Sequence, residues 1–205
     1  MIRLVSRHPD WAIGFEDECW WSRFKQPSLS SWVVGDQVMH LIERLPKPKE
    51  QQKALACYGL LVRHCPQTEN DWHEEILLRF VDDRPISVLT TQYLEWCCEK
   101  LQSRGKRVLI LVWDNASWHI SKFVRTWIYE HNRKVTTLGQ GVRIWVCPLP
   151  TKSPWLNPIE PKWVHGKRRV VEPGRKLSPA ELEERVYNAL DCSSEPHLTL
   201  SNNVV

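Results

Sequence analysis

No apolar run in this sequence approaches the roughly 18 residues that a membrane-spanning helix needs. Its opening stretch, MIRLVSRHPDWAIGF, also lacks the apolar centre of a signal peptide. Both absences lead us to expect a soluble, cytoplasmic protein. The 7 cysteines form no CxxC pair, and no His-x3-His spacing accompanies them, so neither a disulfide framework nor a zinc site is indicated. An odd count and the adjacent Cys97 and Cys98 fit reduced intracellular thiols. The nearest approach to a metal cluster, His64 beside Cys65, has no second pair. No G-x-S-x-G elbow surrounds Ser117, and Ser117 and His119 would point in different directions on a strand or a helix. A serine-hydrolase reading is therefore set aside. Internal repeats and low-complexity tracts are absent as well.

At 205 residues and 42% hydrophobic, the chain can bury one sizeable core. We expect one domain over residues 1–192 and a disordered tail over 193–205. The net charge of +4 is unevenly placed. Lys162, Lys167, Arg168, Arg169, Arg175 and Lys176 crowd one stretch against a single acid, Glu172. A polyanionic partner fits that asymmetry, and so does a solvated basic helix end.

The segment Trp11 to Glu18 is short, apolar and then abruptly acidic, as expected of a buried strand that ends in carboxylates. Trp20 to Lys49 carries prolines, serines and a glycine and reads as loops around one short strand at Ser31 to Val34. Lys53 to Val62 and Glu74 to Val81 read as further strands, joined by a polar turn, which gives an antiparallel meander of three. Helical spacing then runs from Ser87 to Ser103 and stops at Gly105. Arg107 to Trp113 is the most apolar strand and shows no polar alternation, so it should be central and covered on both faces. A helix over Ser121 to Arg133, a buried strand over Val142 to Cys147, and a closing helix over Pro179 to Leu190 capped by Ser178 complete the reading. This order indicates an α/β mixed sheet flanked by helices.

Three acids stand out. Asp114 ends the central strand, where ligand sites of open α/β sheets gather, although an Asp-Asn turn would explain it as well. Asp17 lies between Glu16 and Glu18, and three adjacent carboxylates at a buried edge repel unless a cation or water relieves them. The plainer alternative has Glu16 and Glu18 facing water and Asp17 capping a turn. In Asn157-Pro158-Ile159-Glu160, a cap residue, a proline and a glutamate satisfy the rule for a helix start. Pro161 removes an amide donor just there, which points to a constraint besides helix stability. Together the three acids could converge as oxygen ligands for Mg²⁺ or Mn²⁺.

The runs FEDE at Phe15 to Glu18, VWDNASWH at Val112 to His119, and PLPTKSPWLNPIEPKW at Pro148 to Trp163 resemble the three signature blocks of insertion-sequence transposases of the mariner superfamily, which carry a DDE endonuclease core. The third block is the most specific. The resemblance implies a ribonuclease-H-like fold and a catalytic triad of Asp17, Asp114 and Glu160. It also implies two Mg²⁺ or Mn²⁺ ions, cleavage of DNA, and transfer of the freed 3′ end to target DNA. Asn115, His119 and Asn157 would support the ligands or touch DNA, and Lys162, Lys167, Arg168 and Arg169 would meet phosphates. Transposon ends, target DNA and a second copy in a homodimer are the implied partners, with the protein at the nucleoid. The gap from Asp114 to Glu160 is longer than is usual in that family, and the stretch HNRKVTTLGQGV is where the extra length is expected. Only about ten residues precede the first strand, so end-specific DNA recognition is expected to be missing, as in a truncated copy, one half of a split reading frame or a stand-alone core, with a separate N-terminal helix-turn-helix part as a further partner. A catalytically silent DNA-binding remnant, or a metal-dependent nuclease of the same fold, are the alternative readings.

Overall fold

The computed structural model describes residues 2–23, 28–33, 37–42, 53–64, 73–82, 84–151, 153–170 and 177–200. After a short helix α1 (Ile2–Val5), β1 (Trp11–Ser22) pairs antiparallel with β4 (Lys53–His64) on one side and parallel with β6 (Val108–Trp113) on the other. β5 (His73–Val81) extends the antiparallel half, and β7 (Arg143–Pro148) extends the parallel half. The five-stranded order is β5-β4-β1-β6-β7. Three antiparallel strands followed by parallel ones is the mixed sheet expected from the sequence.

Alternation along the strands divides the core in two. Leu109, Leu111 and Trp113 of β6 face one side, with Tyr58 and Leu60 of β4, and meet α2 (Ser87–Ser103) and α3 (Lys122–Leu138) through Leu94, Cys97, Leu101, Val124 and Ile128. Ile110 and Val112 face the other, with Ile13 and Phe15 of β1, and meet α4 (Glu160–Val170) and α5 (Pro179–Leu190) through Trp163, Leu182 and Val186. Covered on both faces, β6 is buried at every position, as its unbroken apolar run predicted. Ser178 caps α5 as expected, accepting a hydrogen bond from the Glu181 amide at 3.1 Å.

Several expectations are corrected. β1 does not end at Glu18 but runs to Ser22, because Cys19 and Trp21 keep the alternation and bury on the α4/α5 side; Asp17 therefore lies within the strand. In place of loops around one strand, β2 (Ser28–Val33) and β3 (Gln37–Ile42) form a two-stranded antiparallel hairpin. Val34, Gly35, Pro46 and Pro48 lie outside the described residues. β7 was expected to be buried but is the sheet's edge strand, so Trp145 and Val146 are each about two-fifths exposed. α3 passes Arg133 and ends at Leu138, closed by Gly139 at φ 65°. Much of the extra length between Asp114 and Glu160 is thus additional helix.

The tail is corrected too. Residues 193–200 are ordered against β5: the Leu198 amide donates to the Phe80 carbonyl at 2.8 Å, and Arg79 donates two bonds to the Pro196 carbonyl. Leu198 is 3% exposed and joins the α2/α3-side core, so its apolar burial outweighs the polar composition around it. Residues 201–205 lie outside the described residues. Leu198→Ala should therefore cost about 2 kcal/mol or more in urea unfolding; a change near zero would show a tail that does not pack.

Candidate active site

The parallel pairing of β1 with β6 ends at Phe15 opposite Val112. Two residues further along β1 stands Asp17, of the parity that faces α4, and Asp114 follows the last residue of β6. On its other side Asp17 pairs with Gly59 of β4. A Cβ at Gly59 would collide with the indole of Trp163, so the glycine lets that ring lie across the strand. From there the Trp163 Nε1–H donates to Asp17 Oδ2 at 2.9 Å.

Glu160 precedes Trp163 by three residues on α4, so docking the indole also brings this carboxylate to the site. Burial first, then the charges of Glu16, Glu160 and Glu18, push the Asp17 carboxyl up to about 8, against the pull of the Trp163 hydrogen bond. Asn157 ties the segment before α4 to β1: its side-chain amide donates to the Glu16 carbonyl at 2.9 Å, and its oxygen accepts from the Ile159 amide at 3.4 Å. Asn157 is buried and bonded across the molecule, so its role exceeds that of the expected cap. With α4 beginning at Glu160, Pro161 falls in the first turn, where a missing amide costs little.

Asp114 Oδ1 accepts from His119 Nδ1 and from the Ala116 amide, both at 2.8 Å. The His119 bond first, and the Ala116 amide with it, hold the Asp114 carboxyl below its usual range. The Asp turn and the site coexist in one residue. Asn115 donates to the Leu149 carbonyl at 2.7 Å, pinning the loop that leads toward Glu160.

On the opposite face of β1, Glu16 and Glu18 point away from Asp17. Glu16 is 1% exposed, which overturns the alternative that has it facing water. His119 Nε2 lies 3.1 Å from both Glu16 Oε2 and Glu18 Oε1, and Trp118 Nε1 donates to the same Glu18 oxygen at 2.6 Å. Burial pushes Glu16 up to about 7, with the Glu18 charge adding to it. Burial opposes charge on His119, but Glu16 and the bonds to Asp114, Glu16 and Glu18 carry it up to about 12.

Among the basic residues, Lys167 stands beside Cys19, two residues along β1 from Asp17. Lys162 instead pairs with Glu74 of β5 at 2.5 Å, which occupies its charge within the protein. Arg168 and Arg169 are exposed in the last turn of α4, with Arg169 donating to the Ala189 carbonyl at 3.3 Å. Arg175 and Lys176 lie outside the described residues. Of the tryptophans near the acids, Trp21 is fully buried and Trp155 is three-quarters exposed. Sequence reasoning missed Gly59, the Trp163 N–H and the Glu16–Glu18–His119 cluster. A lone glycine in an apolar strand was the one visible sign of the first.

The family model described as DDE superfamily endonuclease matches residues 73–181, just over half of the chain. This chain belongs to that family. The match takes in Asp114 and Glu160 and begins after Asp17. Three solved structures share the DDE endonuclease chain's fold: the Mos1 mariner paired-end complex with Mn (TM-score 0.57, 15% identity), the Mos1 paired-end complex with left transposon end (0.54, 15%) and the Mos1 strand transfer complex (0.51, 16%). Each match covers 94% of this chain and 52–53% of the other, so the chain spans about half the length of those relatives. Comparison with curated proteins returns no match.

Asp17 titrates from 3.8 unfolded to about 8 folded, so without a cation its stabilising protonated form is fully present below pH 4 and lost as pH rises through 8. Glu16, raised to about 7, acts in the same direction. In EDTA at pH 8, Asp17→Asn should raise the melting temperature, while added Mg²⁺ should raise that of the unsubstituted chain and not of the variant. An apo protein destabilised by Asp17→Asn would contradict this charge balance. Gly59→Val should cost about 1–3 kcal/mol by overpacking against Trp163, read by thermal unfolding, with a shift in Trp163 fluorescence.

Proposed function

We propose that this chain is the catalytic core of a transposase, in which Asp17, Asp114 and Glu160 hold two Mg²⁺ or Mn²⁺ ions for cutting and rejoining DNA. The observation that carries the reading is Asp17 itself: a part-buried carboxylate on the strand beside β6, which Asp114 follows, and close enough to Glu160 for that charge to raise its proton affinity. Asp17 and Glu160, brought into mutual repulsion from β1 and α4, with Asp114 at the end of the neighbouring β6, offer the oxygen donors that hard divalent cations prefer. Residues 1–192 with the packed segment 193–200 would act as one catalytic domain.

When bound, the ions would activate the attacking oxygen and stabilise the leaving oxygen of the scissile phosphate. The chain's own residues do the placing. Trp163 fixes one Asp17 oxygen, His119 and the Ala116 amide fix one Asp114 oxygen, and Asn157 anchors the segment carrying Glu160. Each therefore presents its remaining oxygens in a set direction, which suits a reaction that depends on position and charge. Lys167, Arg168 and Arg169 at the end of α4 supply the phosphate-facing charge. DNA ends and target DNA are the substrates of this reading, and joining two ends calls for a second copy of the chain.

Labelled DNA bearing precut 3′-hydroxyl ends should be joined to target DNA in Mg²⁺ or Mn²⁺, with nicking of uncut ends. Asp114→Asn should lower both on the order of 10²-fold or more. Cutting without joined product would indicate a plain nuclease, and binding without cutting a silent remnant. Lys167→Ala should reduce the salt slope of DNA binding by about 1.

A further inference from the structure

We propose a second cation site on the face of β1 opposite Asp17, where Glu16, Glu18 and His119 hold a divalent transition-metal ion through two carboxylate oxygens and one imidazole nitrogen. It shares no ligand with the triad and does not depend on the transposase reading.

Strand alternation separates the two sites. Asp17 turns toward Trp163 and α4, whereas Glu16 and Glu18 turn toward Trp118 and His119 in the loop after β6. One ligand atom from each of Glu16, Glu18 and His119 lies within 4.8 Å of the others. His119 Nε2 is 3.1 Å from an oxygen of each glutamate. Donors held about 2.1 Å from one ion at angles of about 90–110° stand about 3.0–3.4 Å apart, and both His119–glutamate distances fall in that range.

Hydrogen bonding alone leaves this cluster unsatisfied. Glu16 Oε1 has no partner, and Oε2 has only the His119 Nε2 contact at 3.1 Å, although the side chain is 0% exposed. A buried carboxylate without a donor is rare and costly. Glu16, Glu18 and Asp114 all surround the one ring.

The surroundings already prepare the ligands. His119 Nδ1 is committed to Asp114 Oδ1 at 2.8 Å, so a ring that loses its other proton to a metal presents the Nε2 lone pair to the glutamates. The ring is stacked on Trp113, with centroids 4.4 Å apart and 8° between planes. Trp118 steadies the Glu18 oxygen without using up its acceptor capacity. A carboxylate behind a ligating histidine is the usual outer support of such sites. Mixed nitrogen and oxygen donors favour Mn²⁺, Fe²⁺ or Zn²⁺ over Mg²⁺ or Ca²⁺. An ion here would hold His119 against Asp114 and so brace that carboxylate from behind.

Manganese alone is the probe, because it ignores thiols and its electron spin echo reports a directly bound nitrogen. Asp17→Asn/Glu160→Gln removes two triad ligands, and this double variant should still bind one equivalent of Mn²⁺ with nitrogen coupling. Labelling histidine with ¹⁵N should change that coupling in the unsubstituted chain. Adding His119→Gln, or Glu16→Gln if the former does not fold, should abolish the bound ion, with circular dichroism confirming the fold. If the folded double variant binds no Mn²⁺, or binds it with oxygen ligands only, the cluster is an imidazolium held between carboxylates and the proposal fails.

Discussion

Three consecutive carboxylates on a strand that is packed on both faces cannot share one partner, and the arrangement around β1 follows from that constraint. Alternation sends Glu16 and Glu18 to one side and Asp17 to the other. Each side must then supply donors from a different part of the chain. The α4 face answers with the indole of Trp163, and the opposite face answers with Trp118 and His119 from the loop after β6. Both answering segments also carry one of the other two acids, Glu160 and Asp114. Partnering the strand's charges is thus the same act as assembling the site.

Magnitudes decide what positions Glu160. A hydrogen bond to a charged group contributes about 1.5–3 kcal/mol net. Burying an aromatic ring and an isoleucine together contributes more, about 1.5–3 kcal/mol for each side chain. Ile159 and Trp163, 0% and 2% exposed, therefore dock α4 on the sheet, and the Nε1–H orients Asp17 once the helix is there. Gly59 is the geometric condition for that docking, since any side chain at its position would occupy the space of the ring.

The elements that carry the site were legible because their signals are local. The unbroken apolar run of β6 predicted a doubly covered strand, and Asp114 stands just past its end. Glu160, Trp163 and Lys167, spaced by three and four residues, share a helical face, which the structure turns toward Asp17 and Cys19. What was not legible depended on partners distant in sequence. Nothing near Leu198 foretells its place beside Phe80, and nothing near Gly59 foretells an indole from 104 positions later. β7 reads as buried from its own residues, and only its place at the end of the sheet order exposes it. Lys162 looked available for phosphate until Glu74, on another strand, claimed it.

The strand's alternation also limits what one cation can do. An ion bound by Asp17 on the α4 face is separated from the Glu16 and Glu18 oxygens by the strand itself, so it can soften their repulsion but not coordinate them. His119 links the two faces instead, because its Nδ1 meets Asp114 while its Nε2 meets the glutamates. Any change in what Nε2 binds is felt at Asp114 through one rigid ring stacked on Trp113. The carboxylate at the end of β6 is therefore tuned from the face of β1 opposite Asp17.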